Sequence, residues 1–485
     1  MPLAMKKFLI LLASYILFNI NISAQNLKPN IIIIIADDIS WDDFGCYGND
    51  QVKTPNIDRI AENGIMFNNA YLTASSCSPS RNSIITGRYP HNTGAAELHT
   101  QPPVTMLSFP EFLRENGYYT AMSGKFHMGE YAERGFDDMI TDLDLVGDGG
   151  QEMWVHQLQS RNMDKPFFMW FAAYDAHRGW GPNEFSGTHN PDSIVPPVYL
   201  ANMPGTRKDL ASYYDEVFRF DHYVGEVVNE LKRQGVLENT LVIIMSDNGR
   251  PFPHSKTRVN DRGMKTPFIG YWPSRITKPD VSHGLVSVID IAPTILSIAG
   301  ITIHDQFQGR SFEMLFSQPD APFRNFVFAE HNWHDYEAHQ RMVRDKEFMY
   351  ILNSRPGLSQ TGPADALSSD SYIDLVTLKE SGKLTAIQAD IFITPRPREE
   401  FYDLDFDPDQ YINLASHPDY VEDLERLRQV LMQWMAETGD NIPEEITRDW
   451  YLKEPNYKHS PFHNIRGEMP GNKNNAIEIN AGGPF

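Results

Sequence analysis

Four stretches of this 485-residue chain follow one plan: a short unbroken apolar run whose C-terminal end turns abruptly polar. Residues 31–35 run into Ala36-Asp37-Asp38, and residues 119–122 into Ser123-Gly124-Lys125-Phe126-His127. Residues 167–174 run into Asp175-Ala176-His177, and residues 241–245 into Ser246-Asp247-Asn248-Gly249. A strand apolar at every position must be covered on both faces, which requires a mostly parallel sheet with helices on each side. Ligands of such sheets bind beyond the carboxyl ends of the strands. One such run alone would be ordinary strand-to-loop polarity. Four that end in acids, an amide, a lysine and histidines predict a single crevice.

Helices are predicted between these strands, each with its own stop signal. They cover residues 55–62 after Thr54 and before Gly64, 109–115 before Gly117, 210–234 before Gly235 and 290–299 before Gly300. Beyond about residue 320 the texture changes to short strands at 326–328 and 348–352, a helix at 419–437, and a tail from Asn441 rich in Pro, Asn and Gly. We therefore expect an α/β domain over 25–320 and a smaller α+β domain over 321–485. Residues 1–24 read as a signal peptide: Lys6 and Lys7, an apolar run from Phe8 to Phe18, and a small-residue cleavage site ending at Ala24. The run is short for a bilayer span, so export without an anchor is expected.

With 42 Lys and Arg against 64 Asp and Glu, the net charge is −22, which argues against nucleic acid as a partner. An anionic substrate would need local cations that overcome this global field. Two cysteines exclude both a disulfide-stapled scaffold and a cysteine-cage zinc domain.

One of them, Cys77, lies in Ser75-Ser76-Cys77-Ser78-Pro79-Ser80-Arg81, followed by Thr86-Gly87-Arg88. Pro79 suits a first helical turn and Gly87 a helix end, so Cys77 is predicted near a helix N-terminus, which favours an anion. Arg81, four residues on, can share its face. A buried structural cysteine or a disulfide to Cys46 fits the spacing equally well. Asp37, Asp38, Asp247 and Asn248 are hard oxygen donors that suit Ca²⁺ or Mg²⁺ better than zinc. Paired acids on loops also serve as solvated or capping groups. Lys125 and His127, two apart on an extended segment, would point the same way.

Cys77-x-Pro79-x-Arg81 with Thr86-Gly87-Arg88 resembles the signature of the type I, formylglycine-dependent sulfatases. Gly124-Lys125-Phe126-His127, Asp175-Ala176-His177-Arg178 and Lys256-Thr257, eleven residues before Pro267, resemble further segments of that family. Lys256 rather than Lys265 matches the family's active-site cation. The resemblance covers nearly the whole mature chain. It implies an alkaline-phosphatase-like α/β sandwich with a large central sheet, plus a C-terminal domain with a short antiparallel sheet.

It also implies a site and a chemistry. Cys77 would be oxidised to formylglycine by a separate maturation enzyme. One Ca²⁺ would be held by Asp37, Asp38, Asp247, Asn248 and the modified side chain at position 77. A hydroxyl of the aldehyde hydrate would attack sulfur, with Arg81, Lys125 and Lys256 balancing the sulfate charge. His177 would protonate the leaving atom, and His127 would take a proton as sulfate is expelled. The asparagine at 248 supplies no histidine ligand and so counts against a two-zinc phosphatase.

Several segments look most like N-sulfoglucosamine sulfohydrolase and bacterial polysaccharide sulfatases. The expected substrate is therefore a sulfated carbohydrate such as ulvan or heparan, with His99, Arg178, His334, Asp335 and Arg341 as candidate sugar contacts. Lys256, where that N-sulfatase branch carries arginine, weakens transfer of N-sulfate specificity. The alternatives are a sulfamidase, a phosphodiester or phosphonate monoester hydrolase of the same superfamily, and an inactive glycan-binding protein.

Overall fold

The computed structural model describes residues 28–451 and 463–485; the expected signal peptide, 1–24, lies outside them. In chain order the strands are β1 (Asn30–Ala36), β2 (Ile65–Phe67), β3 (Ala70–Tyr71), β4 (Tyr119–Gly124), β5 (Asp138–Ile140), β6 (Phe167–Ala172) and β7 (Thr240–Ser246). They continue with β8 (Phe268–Tyr271), β9 (Asp280–Ser282), β10 (Val286–Ser287), β11 (Val327–His334), β12 (Tyr336–Arg344), β13 (Phe348–Asn353) and β14 (Glu399–Asp403).

Eight of them form one sheet in the order β5-β4-β6-β1-β7-β8-β2-β9. The four apolar runs of the sequence are its contiguous parallel centre, β4-β6-β1-β7. On β1 the alternation of side chains divides five isoleucines between two cores. Ile31, Ile33 and Ile35 enter one and Ile32 and Ile34 the other, all with no exposure. Each such burial is worth roughly 1.5–3 kcal/mol relative to an exposed side chain, which is why positions 31–35 are apolar without a break. One strand departs from the parallel pattern: β8 runs antiparallel to β7 and to β2.

The helix forecast for 210–234 starts earlier, at Pro204–Arg233, because Pro204 opens its first turn. Those forecast for 290–299 and 419–437 are Ile291–Ile298 and Val421–Thr438. Beyond the large sheet, β11-β12-β13-β14 make an antiparallel sheet. Helix Val421–Thr438 covers it, setting Leu427, Leu431 and Trp434 against Phe328, Val343 and Phe401. The tail returns to the larger half. Arg88 donates to Ile477 O at 2.9 Å, Ile479 O at 2.8 Å and Asn480 Oδ1 at 2.7 Å, burying the guanidinium under the chain end. Among the described residues no helix is long and apolar enough to cross a membrane.

Candidate active site

Register brings the site together. Ile35 lies beside Ala172, Ala172 beside Gly124, and Ala36 beside Ser246, so these strands end at one level. The next residues, Asp37, Lys125 and Asp247, therefore emerge side by side. Gly124 makes the approach possible: it holds φ 98°, and a Cβ there would meet Ala172 O at 1.9 Å. Only glycine can end β4 against β6 in that conformation.

Cys77 is the first residue of helix Cys77–Thr86, all ten residues of which are buried. Both cysteines are free thiols, so the pairing of Cys77 with Cys46 is not made. Cys77 Sγ lies 3.7 Å from Asp37 Oδ1 and 4.0 Å from Asp38 Oδ1. Burial pushes the Cys77 thiol well up, against the lowering effect of Lys125 and Lys256. As an unmodified cysteine it is therefore protonated and a poor nucleophile.

Three cations surround it, each tied to a different carboxylate. Arg81 Nε donates to Asp247 Oδ2 at 2.7 Å, Lys256 Nζ to Asp38 Oδ2 at 2.6 Å, and Lys125 Nζ to Asp37 Oδ2. Arg81 also donates to Lys125 O at 2.8 Å, which locks helix to strand end. Burial opposes the charge on Asp37, but Lys125, His177, Arg81 and Lys256 outweigh it and hold the carboxyl below the usual range. Burial, reinforced by Asp37, pushes Asp247 up to about 6. Lys265, by contrast, sits over the Trp41 ring at 3.8 Å, away from these groups.

The donor set fits a hard divalent cation. Asp37, Cys77 and Asp247 offer atoms within 4.8 Å of one another. Asp38 and Asn248 adjoin them, joined by Asn248 Nδ2 donating to Asp38 Oδ1. The amide's other end, Asn248 Oδ1, is buried and lacks a protein partner. An amide oxygen left bare beside three buried carboxylates is what an oxygen-coordinated ion would satisfy.

Cys77 and Lys125 bring this cluster to the floor of a cavity of about 630 Å³ whose lining also includes His127, His177, His334 and Asp365. His99 and His127 meet across it, Nδ1 to Nε2, at 2.8 Å. Burial and the charges of Lys125 and Arg81 push His127 down to about 2, so its imidazole is neutral and able to accept a proton. His127 lies past the end of β4 and holds φ 46°, so simple strand alternation does not relate it to Lys125. Asp38, His99, Thr257 and Asp335 also hold φ between 61° and 69°. Strain of this kind gathers where function over-determines the backbone.

His334 and Asp335 come from the β11–β12 hairpin, whose tip leans over the site. His334 Nδ1 is 2.8 Å from Ser76 Oγ, next to Cys77. Asp335 Oδ2 accepts from Ala364 N at 3.2 Å and so fixes the segment that carries Asp365.

Two expected sugar contacts lie elsewhere. Arg178 forks onto Asp209 at 2.7 and 2.8 Å and is sandwiched by Trp180 and Phe252, so its donors are already engaged. Arg341 is completely buried on Asp440 and does not line the cavity. One residue escaped the sequence reading. Asp365 Oδ2 lies 3.3 Å from Lys256 Nζ and 3.8 Å from His177 Nε2, while its Oδ1 is buried without a protein partner. Its only local signal is a first-turn position in the four-residue helix Ala364–Leu367.

The sulfatase family description matches residues 29–149 and 151–301, and that of the N-sulphoglucosamine sulphohydrolase C-terminal region matches 254–352. A human N-sulphoglucosamine sulphohydrolase is 31% identical over 90% of this chain and 95% of its own. An ulvan-active sulfatase of Formosa agariphila is 29% identical over 87% of this chain and 78% of its own. Among solved structures, BT4656 in complex with its substrate D-glucosamine-2-N,6-O-disulfate aligns with a TM-score of 0.68 at 22% identity, covering 84% of this chain and 98% of that one. With the matched segments spanning more than half the sequence and running through every strand end of the site, the chain belongs to the sulfatase family and is an enzyme of that class.

Proposed function

We infer that this sulfatase removes sulfate from a sulfated carbohydrate, with Cys77 matured to formylglycine and one Ca²⁺ held by Asp37, Asp38, Asp247 and Asn248. The observation that carries the reading is the ring of three buried cations, each on its own carboxylate, around a thiol too poorly ionised to attack as it stands. A hard divalent ion there supplies Lewis acidity and charge for the oxygens of the sulfate group.

The side chains divide the remaining work. Arg81, Lys125 and Lys256, all buried at the floor of the cavity, hold and neutralise the sulfate. His177, beside Lys256 and partly open to the cavity, delivers a proton to the leaving oxygen or nitrogen. Neutral His127, steadied by His99, receives a proton from the group at position 77. The roof residues His334, Asp335 and Asp365 face the sugar. The chain is exported as a two-domain protein divided near residue 320.

A second reading, hydrolysis of N-sulfoglucosamine, is favoured by the match of residues 254–352, which include β11 and β12, to the N-sulphoglucosamine sulphohydrolase C-terminal region. The deciding experiment incubates matured enzyme with O-sulfated ulvan and heparan oligosaccharides, N-sulfoglucosamine and an aryl phosphate. O-sulfate release ranks first on the main reading. Exclusive release from the N-sulfated sugar establishes the second, and preference for the phosphate ester overturns both.

A further inference from the structure

The active-site cations all have partners; Arg258, two residues past Lys256, has none. It is 5% exposed, its Nε and Nη2 are buried without a protein partner, and among the described residues no carboxylate lies within ion-pair distance of it. Burial, with the neighbouring charge of Arg396, brings its guanidinium down to about 9.

A second cavity of about 280 Å³ opens beside it, lined among others by His254, Arg262, Arg396, Asp390 and Glu400. Its two carboxylates are claimed by Arg396, whose Nη2 reaches Asp390 Oδ1 at 3.2 Å and Glu400 Oε1 at 3.0 Å. Tyr402 also donates to Glu400, at 2.6 Å. Arg262 extends its fork to the carbonyls of His254 and Asp409. Three guanidinium groups thus face two carboxylates; among the described residues neither Arg258 nor Arg262 has an ion-pair partner, and of these two only Arg258 leaves buried nitrogens without a hydrogen bond. His254 Nε2 and Arg396 Nε are likewise buried and lack protein partners.

Water can satisfy hydrogen bonds in such a space but cannot neutralise a buried charge, and an uncompensated one costs several kcal/mol. A guanidinium fork beside an imidazole and a second guanidinium is complementary to an oxyanion. In a chain of net charge −22, such a locally positive pocket is a specific construction. No residue lines both this cavity and the catalytic one. Between them lies a gap of about 30 Å³, bordered by His334 on one side and Arg258 on the other. That gap is far too small to pass a saccharide, so whatever fills the second cavity is not the far end of a substrate seated in the first.

We propose that Arg258, with Arg396 and His254, forms a second anion site for a small tetrahedral oxyanion, sulfate or phosphate, between the catalytic loop and the segment 386–413. Sulfate is the ion that this enzyme's own reaction releases; phosphate of the surroundings has the same shape, and separate titrations distinguish the two. The test is thermal unfolding of the full-length protein at constant ionic strength with sulfate, phosphate, acetate or chloride. It is made in a Lys125→Ala background to weaken oxyanion binding at the catalytic site. At ten times the dissociation constant, sulfate or phosphate should raise the melting temperature by about 2 °C over chloride. Adding Arg258→Met should abolish the rise, and Arg258→Lys should keep part of it. Equal rises with chloride or acetate, or a full rise retained with Arg258→Met, overturn the proposal. Crystals soaked in selenate give a readout independent of variant folding: density at Arg258 supports the site, and density confined to the catalytic cavity refutes it.

Discussion

The floor and the roof of the catalytic cavity are built in different ways. The floor comes from strand ends, one helix and the loop that carries Lys256, and nearly every group in it is held by another member: Arg81 by Asp247 and the Lys125 carbonyl, Lys256 by Asp38, Lys125 by Asp37. The roof comes from a hairpin tip, a four-residue helix and a loop histidine, and its carboxylates keep capacity to spare. Asp365 Oδ1 has no protein partner, and Asp335 is pushed up to about 6 by burial and by Asp365. A mutually fixed floor suits one invariant group, the sulfate. A roof with open acceptors suits a variable one, the sugar. Floor substitutions should therefore abolish turnover on every substrate, and roof substitutions should change which substrate is preferred.

The sharpest way to break the contrast is Cys77→Ala. Removing the side chain proposed to react should lower kcat by at least about 10³-fold on all sulfated substrates. The small change within a partly open cavity should leave the melting temperature within a few degrees. Substantial residual turnover would move the chemistry away from the floor. Chelation of divalent ions from the matured enzyme should cost about 10²-fold or more, with recovery on adding Ca²⁺. Loss without recovery would mean that the oxygen cluster serves folding alone.

Lys256→Ala should cost about 10²–10³-fold in kcat, since it removes one sulfate-facing cation and leaves Asp38 and Asp365 without their shared partner. Asp365→Asn tests the roof. It keeps the shape, removes one charge beside Lys256 and His177, and should lower kcat/KM about tenfold on one sugar while altering it less on another. A uniform loss across the substrate panel would reassign Asp365 to the floor as a positioning residue for His177.

The same division explains what could be read from sequence. The floor was legible because each member sits directly after an unbroken apolar run or inside a compact motif, and parallel register converts those sequence positions into neighbours. Asp365 was not, because a lone aspartate after Gly362-Pro363-Ala364 carries no pattern. Long-range contacts, Asp335 with Ala364 N and Lys256 with Asp365 itself, bring it over the site. Arg178 and Arg341 misled for the opposite reason. Arg178 directly follows the motif residue His177 and Arg341 lies six residues past Asp335, yet Arg178 lies on Asp209 and Arg341 on Asp440, partners 31 and 99 positions away that no local pattern announces. Lys125 and His127 do line one cavity, but the left-handed φ of His127 departs from the strand alternation that predicted it.

A smaller effect separates the stability of the roof half from the chemistry of the floor. His339 on β12 is fully buried, neither ring nitrogen has a protein partner, and burial, reinforced by Arg341, pushes it down to about 3. In the unfolded chain an imidazole titrates near 6.5. Between these values the unfolded state binds the proton and the folded state does not, so this residue withdraws stability as the pH falls through 6.5 and leaves it untouched above. At pH 5 the loss is about 2 kcal/mol at most. His339→Asn suits the φ of 51° and removes the titration. Whatever its offset at pH 7.5, the variant should gain on the parent by about 1–2 kcal/mol between pH 7.5 and pH 5 in denaturant melts. Its specific activity per folded molecule should stay that of the parent, because His339 touches nothing on the floor. A pH-independent difference would mean that His339 is protonated in the folded protein. An activity change in step with the stability change would show that floor and roof are one cooperative unit and not two.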